Sequence, residues 1–382
     1  MTVSHISGDM QTLIRLSKSS IGLEEKEAVT NVLNKEYLGM GDEVQKFEQL
    51  LSEYFNRSVV CVNTGTAALH LAIQCLGIGH GDEVLVPSLT YVASFQAISA
   101  TGATPVACDI DLETLVVDPD DARKRLTEKT RAIMPVHYGG DVGNLDKIYE
   151  FANSKKLRVI EDAAHAFGST YGGKKVGSFG DIACFSFDGI KNITSGEGGC
   201  VVTDDVDIIR KCKDARLLGV EQDSEKRFIG ERSWDFNVSS QGWRYHMSNI
   251  MAAIGIAQLN KFSAMAAKRQ KLAQYYDELL SNCKNIKIYN RNYSDIVPHI
   301  YVLSLDQCLD RAVIRDKLLE RGIQSGIHYQ PNHQLSYYAK ANSKPLENTE
   351  KIAPHLLSMP LHCDLEFSDI KYISEQLEEL AN

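Results

Sequence analysis

The chain reads as an α/β protein: a mostly parallel sheet sandwiched by helices, followed by a smaller α+β unit. Three observations predict this. Short apolar runs alternate with helix-like segments through the first half of the sequence, the rhythm of βαβ units. Past roughly Lys261 the texture shifts to charged helical segments with a few short strands. With 382 residues, 43% of them hydrophobic, the chain exceeds what one core usually serves, so two domains are expected, residues 1–260 and 261–382.

In chain order, the apolar run 59–62 predicts a first strand and the amphipathic stretch 66–76 the helix after it. Residues 83–86 and 91–100 repeat the pair, and so do 132–136 and 145–154. The run 182–187 has the short apolar pattern of a buried strand, and Gly196, Gly198 and Gly199 follow as a turn that a ligand can approach closely. The polar interval 221–233 predicts a surface loop, and a long helix begins near Ser248. Residues 286–289 and 300–305 are the strands of the smaller unit. No internal repeat or low-complexity segment suggests a solenoid or a tether.

Composition excludes some functions. A net charge of -9 and a pI near 5.7 argue against a nucleic-acid binder, although a pocket can still gather anions. The nine cysteines are scattered without Cys-x-x-Cys or metal spacing, as expected of reduced core thiols in a cytoplasm, and no metal is expected. Residues 1–9 lack a basic region followed by an apolar one, and no stretch reads as a membrane span, so a cytoplasmic location is expected.

Lys191 lies between the apolar run and the glycine-rich turn. Lysines rarely stay buried, and one held in a dry pocket is pushed toward the neutral, nucleophilic amine that a Schiff base needs. A solvated loop lysine is the alternative. Upstream, the run 157–160 ends in Glu161 and Asp162. Open α/β sheets collect ligands at the carboxyl ends of their strands, so either acid can face a cofactor, or Asp162 can cap an alanine-rich helix. A lysine for a Schiff base and a carboxylate for a pyridinium nitrogen are what pyridoxal phosphate (PLP) chemistry asks of a protein. Gly65 and Thr66, at a helix start, supply backbone amides and a hydroxyl for a phosphate, or form a plain cap.

The ordered motifs Tyr37-Leu-Gly-Met-Gly41, Val62-Asn-Thr-Gly-Thr66, Val86-Pro-Ser-Leu-Thr-Tyr91, Pro135-Val-His-Tyr-Gly139, Gly242-Trp-Arg-Tyr-His-Met247 and Gly326-Ile-His-Tyr-Gln-Pro331 join the two above. Together they resemble the DegT/StrS family of PLP-dependent sugar-nucleotide aminotransferases, with the wording of members that make 4-amino-4-deoxy-arabinose for lipid A. The resemblance implies the aspartate aminotransferase fold (fold type I) and a PLP cofactor on Lys191. It puts Gly65, Thr66 and Ser186 on the phosphate, Tyr91 on the ring face, Asp162 on the ring nitrogen and His165 near the phenolic oxygen. It also implies that His328, Tyr329 and His333 face the substrate.

Two positions depart from the family's commoner wording. Asp188 stands where many members have His, and it either contacts substrate hydroxyls or caps the turn. Arg244 stands where many have Asn, with His246 in place of an Arg. The family's Asn reaches the phosphate of the neighbouring subunit, so Arg244 is expected to complete the partner's site in a homodimer. The resemblance further implies that Lys191 shuttles the proton as an amino group moves from glutamate to a nucleotide-linked keto sugar, with the Thr194–Gly199 wording favouring C4 over C3 on analogy. A sugar 3-dehydratase would carry His at 191, a desulfurase a reactive thiol, and a PLP-binding regulator a DNA-binding module with no room here.

Overall fold

A computed structural model describes residues 13–382 apart from 233 and 343; the expectation for residues 1–9 lies outside the described residues. Two helices come first, α1 (Leu23–Asn34) and α2 (Asp42–Phe55). A strand–helix alternation follows: β1 (Ser58–Val62), α3 (Gly65–Cys75), β2 (Glu83–Pro87), α4 (Val92–Ala100), β3 (Thr104–Cys108), α5 (Pro119–Arg125), β4 (Thr130–Ile133), α6 (Leu145–Lys155) and β5 (Arg158–Asp162). A short hairpin, β6 (Thr170–Tyr171) and β7 (Lys174–Lys175), leads to β8 (Ile182–Ser186), β9 (Gly199–Thr203) and α7 (Val206–Ala215). The helices α8 (Asp223–Phe228) and α9 (Asn249–Leu280) precede the smaller unit of β10 (Ile286–Ile288), β11 (Tyr301–Leu305), α10 (Arg311–Glu320), α11 (Glu347–Ile352), β12 (Leu356–Met359) and α12 (Phe367–Ala381).

The large sheet has seven strands in the order β1-β9-β8-β5-β4-β2-β3. The pairs from β8 through β3 are parallel, and only β9 runs against its two neighbours, so the sheet is mixed and mostly parallel as expected. One consequence positions the site: β1, β2, β4, β5 and β8 all end at the same edge. The β5–β8 register pairs Asp162 with Cys184, and the β8–β9 register pairs Ser186 with Gly199. The strands are buried on both faces, which is why they read as continuous apolar runs rather than as alternation. One face packs α2 and α9 through Phe47, Phe55 and Phe185; the other packs α3 and α4 through Leu71, Phe95 and Ile160.

Three local expectations change. No helix follows Asp162: residues 163–168 form turns, because Asp162 Oδ1 accepts the Ala164 N–H at 3.2 Å and holds a local turn instead of capping a helix. The interval 221–233 contains α8, anchored by its buried Asp223 and Ser224. Among the described residues, α9 is long and apolar enough by length and composition to cross a membrane, against the expectation that no stretch reads as a span. Half of its apolar window is buried, with Ala252, Leu272 and Tyr276 in the core, as a central helix requires.

Candidate active site

The common strand edge opens into a cavity of about 470 Å³. Gly65, Thr66, Tyr91, Asp162, His165, Ser186, Asp188, Lys191, His328 and Tyr329 all line it, joined by Thr64 and Glu197. Residues separated by more than two hundred positions thus converge: the strands of the large sheet end together, and the 326–334 segment, fastened to Ser88 and Thr90, brings His328 and Tyr329 to the same edge.

The first wall is the start of α3. Thr64 caps the helix, its Oγ1 accepting the Ala67 N–H at 3.0 Å. That leaves earlier amides and the positive helix end facing the cavity, the arrangement that binds an anion. Gly65 is required there: a Cβ would lie 2.7 Å from Ser186 Cβ and 3.2 Å from its Cα, filling the cradle between the two elements.

The floor is Asp162, 5% exposed at the end of β5. Ser94, on α4, donates its hydroxyl to Asp162 Oδ2 at 2.7 Å, and the hydroxyls of Thr90 and Ser94 are 3.0 Å apart. Burial raises the carboxyl's pKa, opposed by Ser94 and the Ala164 amide. Beneath it the buried His137 and Glu161 pair at 2.8 Å, and Tyr149 donates to the other Glu161 oxygen at 2.6 Å. Of the two adjacent acids, Glu161 is thereby consumed within the core, and Asp162 alone faces the cavity.

Lys191 follows β8 and is partly exposed as a residue, with its amine deep in the cavity wall. Burial lowers its pKa to about 8, against the opposing pull of Asp188 and Asp162. Asn192 ties this turn down, donating to the Phe167 and Val297 carbonyls, each at 3.1 Å. Asp188 Oδ1 accepts the Ile190 N–H at 3.3 Å, so it does cap the turn while also lining the cavity. Tyr91, at 59% exposure, presents the open aromatic face of the pocket.

His165 receives the Gly139 N–H on Nδ1 at 3.3 Å, which fixes the ring proton on Nε2, 3.0 Å from the Tyr329 hydroxyl. Burial, followed by Lys191 and His328, holds its pKa well below the ordinary value, so the ring is neutral. His328 binds Ser358 Oγ at 2.7 Å, and burial brings its pKa to about 4. Tyr138 donates to the His328 carbonyl.

Two predicted residues are not brought to this cavity. His333 packs against Ser88, its Nδ1 2.7 Å from Ser88 Oγ, and fastens the 326–334 segment to the end of β2 together with Asn332, which donates to the Thr90 carbonyl at 2.7 Å. Arg244 has its carbonyl on Asn63, but its side chain lines a separate pocket with Leu217, Phe236 and His246. Sequence reasoning missed Ser94, Glu197 and His299, the last at 3.4 Å from the Lys191 amine. Ser94 sits one helical turn from Tyr91 and offered a signal; His299, in an apolar run of another unit, offered none.

A buried amine facing a buried carboxylate, with an anion cradle to one side and an open aromatic face, is a site that fits PLP. The fold and this cavity define a fold-type I PLP-dependent aminotransferase. Comparison with known proteins agrees. A sequence model of the DegT/DnrJ/EryC1/StrS aminotransferase family matches residues 19–378. The structure superposes on the aminotransferase PseC of Helicobacter pylori, involved in pseudoaminic acid biosynthesis, with a TM-score of 0.90 and 26% identity over 97% of this chain and 99% of that one. DesV of S. venezuelae gives a TM-score of 0.86 and 32% identity over 94% of each chain. The candidate sugar aminotransferase Spr1654 of Streptococcus pneumoniae, solved in a PLP form, gives 0.90 and 28% over 97% of this chain and 98% of that one. The chain belongs to the DegT/DnrJ/EryC1/StrS aminotransferase family, and it is a sugar aminotransferase that uses PLP.

Proposed function

We propose that the protein transfers an amino group from glutamate to C4 of a nucleotide-linked keto-deoxy sugar, in a cytoplasmic pathway toward a surface polysaccharide. The observation that carries the reading is the Lys191 amine, its pKa lowered to about 8, sharing one cavity with buried Asp162. A group of pKa near working pH both takes and returns a proton, as one base serving two opposite half-reactions must.

In this reading the α3 amides, Thr66 and Ser186 would hold the cofactor phosphate, Tyr91 would cover the ring, and Asp162, fixed by Ser94, would pair with the ring nitrogen. The bound cofactor supplies an electron sink at the carbon that exchanges nitrogen. With the cofactor bound, Lys191 would be the base that takes a proton from the donor's α-carbon in one half-reaction and gives one back to the sugar in the other. Asp188, His328 and Tyr329 face the sugar, while His333 anchors the segment that carries the last two. Residues 1–260 hold the cofactor, and 261–382 close over the substrate.

Arg244 completes the cavity of a second copy, with His246 beside it. Exposed Leu218, Ile229, Phe236 and Val238 on the same segment support burial against a partner. The C4 preference rests on the Thr194–Gly199 wording. A screen of nucleotide-linked 4-keto and 3-keto sugars with glutamate, read by mass, tests the whole proposal. Amination of the 3-keto series alone would move the reaction to C3, and no product from either would refute the substrate class.

A further inference from the structure

We propose that His299 is a positioning residue for Lys191: it accepts an N–H of the lysine amine and so aims the lone pair of that nitrogen into the cavity. The inference rests on the reading of Lys191 as the residue that captures the cofactor, and adds a residue outside the motif that contains it.

The geometry points to this role in three ways. First, His299 Nε2 lies 3.4 Å from Lys191 Nζ. Second, the imidazole is held in place from both sides of the chain. The backbone N–H of His299 donates to the Gly139 carbonyl at 3.2 Å, its backbone carbonyl accepts from Arg269 Nη1 at 3.2 Å, and its ring lies against His165 with centroids 4.4 Å apart. The ring is thereby pinned between the loop after β4, the long helix α9 and the turn after β5. Third, His299 is 4% exposed, yet its Nδ1 has no hydrogen-bond partner. Among the described residues the Lys191 amine is therefore the one hydrogen-bond partner of this buried ring, and acceptance of its N–H at Nε2 places the ring proton on Nδ1.

The groups that face His299 agree with an acceptor. Lys191, His165, Arg269 and His328 surround it, and each of them disfavours an imidazolium. Burial and these neighbours hold its pKa well below the ordinary value. A neutral ring can accept at Nε2. An amine that gives one N–H to a fixed acceptor loses rotational freedom about its last bond, and its lone pair is aimed before the reacting carbonyl arrives. Capture of pyridoxal phosphate then forms the C=N bond from Nζ and the aldehyde carbon, with both amine protons and the carbonyl oxygen leaving as one water.

The test separates capture from binding. Pyridoxamine phosphate has no aldehyde and binds without reacting with Lys191, whereas pyridoxal phosphate is captured and develops its colour. For apo wild-type, His299→Leu, His299→Met and His299→Gln proteins, pyridoxamine phosphate affinity and the rate of pyridoxal phosphate capture are measured between pH 6 and 10. The Leu and Met variants should bind pyridoxamine phosphate within about 2-fold of wild type but capture pyridoxal phosphate slower by on the order of 10- to 100-fold. Gln, whose carboxamide oxygen can accept the same N–H, should recover most of the rate. Unchanged capture in either apolar variant overturns the proposal. So does a fall in pyridoxamine phosphate affinity that matches the fall in capture, since that marks His299 as purely structural. A wild-type protein that captures no pyridoxal phosphate overturns instead the reading of Lys191 itself.

Discussion

Replacing Lys191 with methionine should make the apo protein more stable, by an amount that vanishes at high pH. Burial lowers the amine's pKa from 10.5 to about 8, so the folded protein holds this charge less willingly than the unfolded chain does. At 1.36 kcal/mol for each tenfold change, the depression corresponds to about 3 kcal/mol of destabilisation, fully present below pH 8. Between pH 8 and 10.5 the unfolded chain binds the proton that the native one has lost, so wild-type stability rises with pH and the penalty fades. Methionine keeps the length of the side chain without the charge, and loss of the bond to His299 takes back about 1 kcal/mol. The net gain is then about 2 kcal/mol at pH 7. With an unfolding entropy of roughly 2.1 cal/mol/K per residue, a chain of 382 residues should melt about 2 to 3 °C higher. Melting curves of both apo proteins at pH 7 and pH 10.5 provide the assay. A Lys191→Met protein that melts at or below the wild type at pH 7, or an advantage that persists unchanged at pH 10.5, would refute the placement of a neutralised lysine in a dry wall.

Other perturbations probe separate parts of the site. Ser94→Ala removes a hydroxyl donated to a buried carboxylate at 2.7 Å and should raise the Asp162 pKa further, weakening cofactor affinity by about 10-fold, as read by equilibrium titration with pyridoxamine phosphate. Gly65→Ala drives a methyl against Ser186 and should abolish phosphate-dependent binding, so that pyridoxal phosphate and unphosphorylated pyridoxal are held equally weakly. Lys191→Ala and Arg244→Ala proteins should each be inactive, yet random re-association of the two should restore about a quarter of wild-type turnover, because half the dimers then hold one intact site; no recovery counts against sharing across the two-fold. Glu48→Ala leaves the fully buried Arg216 without its carboxylate and should cost about 3–5 kcal/mol, seen as a melting temperature lower by about 4–6 °C.

Much of the fold was legible because a parallel sheet covered on both faces writes each strand as a short apolar run. The segments at β1, β2, β5 and β8 fall within a residue or two of their expected positions for that reason. The predicted strand 132–136 ends at Ile133, because Val136 contributes only an isolated bridge to Asp162. The turn after Asp162 was illegible: Ala163, Ala164 and Ala166 favour a helix, and the Asp162 carboxylate overrides them by accepting the Ala164 amide. Asp162 and Lys191 stood out as costly residues next to apolar runs. Ser94 was marked only by its place one helical turn from Tyr91, and His299 not at all, since serine on a helix and histidine in a strand-like run have many ordinary uses.

By itself the sequence determined the candidate residues and the local elements that carry them, because a buried amine, an acid at a strand end and a glycine at a helix start leave marks within a few positions. Tertiary structure alone decided which of Glu161 and Asp162 faces the cavity, which histidine meets Lys191, and that His333 serves as an anchor. Each of those outcomes depends on contacts between segments far apart in the chain, set by strand order and register, and a linear pattern encodes neither.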